Sequence, residues 1–193
     1  MRELILGGQK SGKSRLAEER ACAWLAQSHQ HRAVLIATGQ AYDEEMRQRI
    51  ARHQKDRLLR LPQLLCVEEP MQLGAALRAE SNAQTLVVID CLTMWLTNLL
   101  MPFDDAYCME KYPLDGIYTA HSAIELIIIL KEALTQASGP VVIVSNEIGL
   151  GVIPLGRDVR QFVDELGKLN QAIAQRCEAV TLMAASCALK LKG

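Results

Sequence analysis

Residues 7–14 read Gly-Gly-Gln-Lys-Ser-Gly-Lys-Ser, a G-x-x-x-x-G-K-[ST] pattern set directly after the apolar run ELILG and directly before a segment of helical periodicity. No other feature of the chain so narrows what it can fold into. A strand that turns through glycines into a helix N-terminus points successive backbone N–H groups at an anion. In this reading Gly7, Gly8, Gln9, Lys10, Ser11 and Gly12 wrap a phosphate chain, Lys13 reaches the outer phosphates as a point charge, and Ser14 can ligate Mg²⁺. The alternative, a glycine turn that binds nothing, is disfavoured by the strand before it and the helix after it.

The rest of the chain fits that start. Aliphatic runs ELILG, AVLIAT, TLVVID and VVIVS alternate with longer helical segments, the signature of βαβ units around a parallel sheet buried on both faces. Helices are predicted at about 13–27, 43–56, 70–80, 91–100, 118–137 and 158–176, and a weaker strand at 64–68. The tail EAVTLMAASCALKLKG reads as one or two closing strands. Together these predict an α/β fold, a P-loop NTPase (RecA-like) three-layer sandwich with a mostly parallel central sheet and an antiparallel C-terminal edge. At 193 residues the chain suits one domain, 1–193, with a sizeable core. The stretch MPFDDAYCMEKYPLD, from Met101 to about Asp115, has no period and reads as an excursion or interface loop.

Charge and composition close off other classes. Lys plus Arg number 21 against 22 acids, so no global field favours nucleic acid or a membrane surface, and any phosphate binding must be local. The apolar windows at 92–103 and 123–130 fall short of the ~20 residues a spanning helix needs. Six scattered cysteines show neither Cys-x-x-Cys pairs nor zinc spacing and read as buried free thiols in a reducing compartment. The N-terminus lacks the apolar core of a secretory signal, which points to the cytoplasm.

Ligands of open parallel sheets bind beyond the carboxyl ends of the strands. The residues that follow the strands here are the glycine loop, Thr38-Gly39-Gln40, Asp90, and Asn146-Glu147 with Gly149 and Gly151. Asp90 ends TLVVID as a magnesium-facing carboxylate would, or as a cap for the following helix. The segment DEEMRQRIARHQKDRLLR places acids early and bases late, as a solvated helix does. Arg49, His53 and Arg57 lie four apart on one face, while Tyr42, Met46 and Ile50 form a thin apolar stripe. Cations beside His53 would depress its pKa and hold an anionic phosphate for attack, yet a histidine of this kind is more often a surface residue. The residues themselves leave both readings open. His29, His31 and His121 have less claim, the first two lying in a polar link and the third at a helix start.

In order, GGQKSGKSRLAE, IATGQAYDEEMRQRIARHQKDR, VEEP, VVIDCLTMWLTNLL, VVIVSNEIGLGVIP and FVDELGKLNQAIA resemble the bifunctional adenosylcobinamide kinase/adenosylcobinamide-phosphate guanylyltransferase family of cobalamin biosynthesis. The resemblance covers nearly the whole chain and rests chiefly on R-I-x-x-H-x-x-x-R and N-E-x-G-x-G-x-x-P. It implies two reactions: phosphorylation of the aminopropanol hydroxyl of adenosylcobinamide from ATP or GTP with Mg²⁺, then GMP transfer from GTP through a histidine phosphoramidate to adenosylcobinamide phosphate. It assigns His53 as the guanylylated residue. It carries nucleotide contacts to Gly7 through Ser14, Thr38, Gly39, Gln40, Gln54, Lys55, Asp56, Arg57, Glu68 and Asp90, with Ser14 and Asp90 toward the metal. It also implies a homotrimer.

One stretch departs from the family. Many relatives carry a proline and a tryptophan between the arginine after the histidine and the glutamate of VEEP, where this chain has Leu58-Leu59-Arg60-Leu61-Pro62-Gln63-Leu64-Leu65. Two rival readings give His53 no role: a single-activity P-loop kinase with an arginine-rich lid, and a nucleotide switch, the latter weakened by the absence of N-K-x-D.

Overall fold

The computed structural model describes residues 1–41, 43–101 and 120–193, with side chains from 123 onward in the last segment. Strand β1 (Arg2–Gly7) is followed by α1 (Lys13–Leu25), β2 (Arg32–Ala37), α2 (Glu44–Arg60), β3 (Leu64–Glu68), α3 (Leu73–Glu80), β4 (Thr85–Asp90) and α4 (Leu92–Leu100). Beyond residue 119 come α5 (Ala120–Gln136), β5 (Val141–Val144), α6 (Arg157–Ala174), β6 (Ala179–Ala184) and β7 (Cys187–Lys192). Tyr42, the side chain of His121 and, past Met101, the expected 101–115 excursion lie outside the described residues.

The strands form one seven-stranded sheet in the order β3-β2-β4-β5-β1-β6-β7. All neighbours are parallel except β6 and β7, an antiparallel C-terminal edge as expected. The alternation of side chains divides the interior into two cores. Leu4, Leu6, Ile36, Val87 and Ile89 face α3 to α6, whereas Ile5, Ala33, Leu35, Leu86 and Val88 face α1. The result is a P-loop three-layer α/β sandwich. Its sheet is fully covered where it matters, so β4 and β5 read as continuous apolar runs.

Element ends depart from expectation in two instructive places. Helix α2 runs four residues past the expected stop at 56, to Arg60, because nothing breaks it before Leu61. Helix α3 starts at Leu73 rather than 70, because Glu69 Oε1 accepts from the N–H groups of Met71 (2.9 Å) and Gln72 (2.8 Å) and folds that stretch into a turn. The cysteines correct a second expectation: Cys177 is buried, but Cys22, Cys66 and Cys187 are exposed, since each lies on an edge strand or an outer helix face. Among the described residues no helix is long and apolar enough to cross a membrane.

Candidate active site

The glycine loop closes exactly where a side chain cannot. Gly7 has φ +152, and a Cβ there would lie 2.4 Å from Met183 O, so the loop root packs backbone to backbone against β6. Gly12, at φ +101, is the N-cap of α1 and admits the chain into the helix from a left-handed conformation. Neighbouring elements hold the loop from outside: Ser186 N–H donates to Ser11 O (2.9 Å) and Glu147 N–H to Gly7 O (3.0 Å). Lys13 is 7% exposed and its Nζ donates to Gly8 O at 2.6 Å, across the loop. Burial pushes its ammonium pKa down, assisted by Arg49 and opposed by the Asp90 carboxylate. Ser11 Oγ is buried without a protein partner, a hydroxyl left available inside the loop.

Register aligns the other strand ends with this loop. Glu68, Ala37, Asp90 and Val144 form one row across β3, β2, β4 and β5, and Val144 pairs onward with Ile5 of β1. At about 4.8 Å per strand, Glu68 lies ~10 Å from Asp90 on one side and β1 lies ~10 Å from it on the other. Asp90 does not cap the next helix; Cys91 holds that position. Glu68 is exposed at the end of β3 and accepts from Gln54 Nε2 (3.2 Å), whereas Glu69 is engaged in capping α3. The departure at Leu58–Leu65 leads into β3, which ends at Glu68. Leu61 and Leu64 bury into the core and seat β3 against β2, while Leu58 and Leu59 stay in solvent.

Helix α2 stands over the crevice with no fully buried residue. Its N-terminus is capped by Asp43, which accepts from Met46 N–H (2.7 Å), and Ile50 approaches Gly39. Its C-terminal end is tied down by ion pairs: Arg60 Nε lies 3.1 Å and Arg57 Nε 4.0 Å from Glu18 on α1, and Arg57 donates to Cys66 Sγ (3.7 Å). His53 is exposed between these attachments. Its pKa is held below the ordinary histidine value, first by partial desolvation, then by Arg49, Arg52 and Arg57, with Asp90 opposing. The direction agrees with the expectation; the leading cause is desolvation rather than the neighbouring cations. Arg49 and Asp90 are each felt at both Lys13 and His53. Lys55 and Asp56 are exposed farther along α2, and Asp56 is felt at Glu18.

The donor set tests magnesium directly. A serine hydroxyl at the first turn of α1 and a strand-end carboxylate are hard oxygen donors of the kind Mg²⁺ takes from a protein while keeping several waters, so the chemistry of Ser14 and Asp90 fits Mg²⁺.

Beneath the strand ends lies a frame of buried polar groups in which Thr38 and Asn146, read from the sequence as strand-end residues, meet Thr93, Trp95, Asn98 and Asn170, which the sequence did not single out. Thr38, fully buried, donates from Oγ1 to Cys91 O (2.7 Å) and accepts from Cys91 N–H (2.9 Å). Asn98 Nδ2 donates to Thr38 O (2.8 Å) and Pro70 O (3.0 Å), and Trp95 Nε1 to Met71 O (2.8 Å). Thr93 Oγ1 accepts from Asn146 N–H (2.8 Å), and Asn170 Nδ2 donates to Asn146 O (3.0 Å). The available signal was polar residues inside the apolar helix LTMWLTNLL, with Trp95 and Asn98 three apart on one face. His31 by contrast stacks on Trp24, centroids 3.7 Å apart, at the opposite end of the strands.

The sequence profile of the cobinamide kinase / cobinamide phosphate guanyltransferase family matches residues 3–191. The bifunctional adenosylcobalamin biosynthesis protein CobP of Pseudomonas aeruginosa is 47% identical over 194 residues, covering 100% of this chain and 98% of that protein. The bifunctional adenosylcobalamin biosynthesis protein CobU of Escherichia coli is 36% identical, covering 98% of each. A solved protein of Pyrococcus horikoshii OT3, described only as the object of a structural study, shares the fold across 100% of this chain and 86% of its own, at TM-score 0.55 and 9% identity.

Proposed function

Because the chain belongs to the cobinamide kinase / cobinamide phosphate guanyltransferase family, we propose that its two activities share one crevice, with the loop at 7–14 serving both and His53 serving the second. The observation that carries this reading is geometric: register sets Glu68 and Asp90 in one row with β1, which leads into the loop, and Arg57 and Arg60 tie α2, which bears His53, to Glu18 on α1, the helix that the loop opens into.

In the kinase step the terminal hydroxyl of adenosylcobinamide attacks the γ-phosphorus of ATP or GTP, the bond to the β-phosphate oxygen breaks, and the hydroxyl proton leaves to solvent. Backbone N–H groups of Gly8 through Lys13, Ser11 Oγ and the Lys13 ammonium stabilise the charge on the transferring group. Mg²⁺, held by Ser14 and Asp90, would supply Lewis-acid charge neutralisation at the phosphates.

In the second step a neutral His53 nitrogen attacks the α-phosphorus of GTP. Pyrophosphate leaves with the bridging oxygen, and a phosphate oxygen of adenosylcobinamide phosphate then displaces the histidine to give adenosylcobinamide-GDP. Arg49 and Arg57, on the same helix face as His53, hold the phosphates. Glu68 reads the guanine N–H edge, a role supported by its exposed strand-end position and by the engagement of Glu69 elsewhere. Gly39, Gln40, Gln54, Lys55 and Asp56 line the path between, and Thr38, buried beneath them, fixes the strand end from which Gly39 and Gln40 project. The enzyme works in the cytoplasm as a homotrimer. Exposed Leu150, Val152, Ile153 and Leu155 provide apolar surface for a subunit boundary, and light scattering should return three chain masses where a monomer would refute it.

The direct test is intact-protein mass after incubation with GTP and Mg²⁺, then peptide mapping with acid and alkali treatment. A GMP adduct on the His53 peptide, lost in acid and stable in alkali, is expected. An adduct elsewhere, or none on folded nucleotide-binding protein, would remove His53 from this role.

A further inference from the structure

We infer that Asn98 is a positioning residue that sets guanine selectivity, by holding the loop beyond β2 and the turn beyond β3 at one fixed spacing; this rests on the proposed reading of Glu68. Asn98 is 1% exposed, and a single amide nitrogen gives one hydrogen to Thr38 O and the other to Pro70 O. The β2–β3 ladder ends just before these atoms, its last bond running from Glu69 N–H to Ala37 O (3.0 Å). The Asn98 amide bridges the next residue on each side, Thr38 after Ala37 and Pro70 after Glu69.

Each carbonyl that it grips belongs to a stiff unit. Thr38 is locked to Cys91 through both directions of its hydroxyl bond, and its N–H donates to Asp90 O (3.1 Å), so its place is tied to the strand end that bears Asp90. Pro70 begins the turn that Glu69 caps and Trp95 holds at Met71, and Glu68 stands two residues before it. The amide therefore links the Asp90 side of the crevice to Glu68.

The Asn98 Oδ1 is buried without a protein partner, while its Nδ2 satisfies Thr38 O and Pro70 O, two carbonyls that an apolar side chain would leave unpaired. What the amide supplies is geometry: two donors on one planar group fix two acceptors at a set separation.

The test compares kcat/KM for guanylyl transfer with GTP and with inosine triphosphate, which lacks only the 2-amino group, in Asn98→Ala, Asn98→Asp and Glu68→Gln. Asn98→Asp keeps the size and removes both donors. The expected result is that both Asn98 variants lose about tenfold in preference for GTP, as does Glu68→Gln, with folded circular dichroism spectra. A merely structural role would lower both rates equally and leave the ratio at the wild-type value, which would overturn the inference. If Glu68→Gln loses the preference and the Asn98 variants keep it, the inference about Asn98 falls alone. If Glu68→Gln keeps it while the Asn98 variants lose it, the Glu68 reading falls and Asn98 acts through residues 38–40. If none loses it, both fall. Should the first variants not fold, Asn98→Ser, with one donor and less bulk, is expected to lose part of the preference, and a wild-type ratio there would overturn the inference.

Discussion

His53 shows how one side chain's surroundings set its chemistry. Partial desolvation and the cations of Arg49, Arg52 and Arg57 favour the uncharged imidazole, which is the nucleophilic form. The folded pKa lies below the ordinary value of 6.5, so the acidic fall in initial rates of GMP-adduct formation should have its midpoint below pH 6.5. Arg49→Ala removes one of the cations and should move that fall to higher pH; an unmoved profile would deny Arg49 its part. His53→Ala should abolish guanylyl transfer and leave much of the kinase turnover, because attack on a γ-phosphate needs no covalent enzyme intermediate. Equal loss of both activities in folded protein would count against this division. The sequence placed His53 between arginines at helical spacing, but it could not reveal that desolvation leads, since that depends on what α2 rests against.

At the scale of elements, α2 is an outlier: a 17-residue helix with no buried residue, attached by Met46 and Ile50 near one end and by Arg57 and Arg60 at the other. Glu18 receives both arginines and is itself largely buried, its side chain 13% exposed. Burial pushes its carboxyl pKa up, and Arg60 and Arg57 recover only part of that cost, with Asp90 and Asp56 adding to it. A carboxylate with a raised folded pKa opposes folding at neutral pH, and its cost is relieved as pH falls through that value. Glu18→Gln should therefore leave the melting temperature unchanged or higher at pH 7, while slowing adduct formation because α2 loses its charged anchor. A lowered melting temperature with unchanged adduct rate would reverse the assignment. The helix was legible from its charges; the anchor was not, because Glu18 is 42 residues from Arg60 in the chain.

Across the whole molecule a half-buried ion pair ties three elements together. Glu3 of β1, 3% exposed, accepts from Arg20 Nε of α1 (2.7 Å) and from Thr181 Oγ1 of β6 (2.8 Å). Burial alone would raise its pKa, but the Arg20 and Thr181 hydrogen bonds and the Arg20 charge outweigh it and hold the carboxyl below its usual value. The stabilisation is present above the unfolded pKa, ~4.3, and is lost as pH falls through the lower folded value. Arg20→Ala should cost about 2 kcal/mol in urea unfolding at pH 7, less than breaking a wholly buried pair because the Arg20 side chain is 40% exposed. That penalty should shrink as Glu3 protonates; a pH-independent penalty would place its origin in packing.

By itself the sequence determined the local chemistry: a loop whose glycines permit Gly7 at φ +152 and Gly12 at φ +101, strands whose unbroken apolar runs demand burial on both faces, and the residues that end each strand. These are short-range properties, set by backbone sterics and by the period of hydrophobicity. Only the tertiary structure decided the register that puts Glu68, Ala37 and Asp90 in one row, the choice of Glu69 as cap and Glu68 as the exposed carboxylate, and the Asn98 amide that spans two loops. Those depend on which backbone groups meet across tens of residues, and a buried amide in an apolar helix is indistinguishable from an accident of composition until its two acceptors are brought to it.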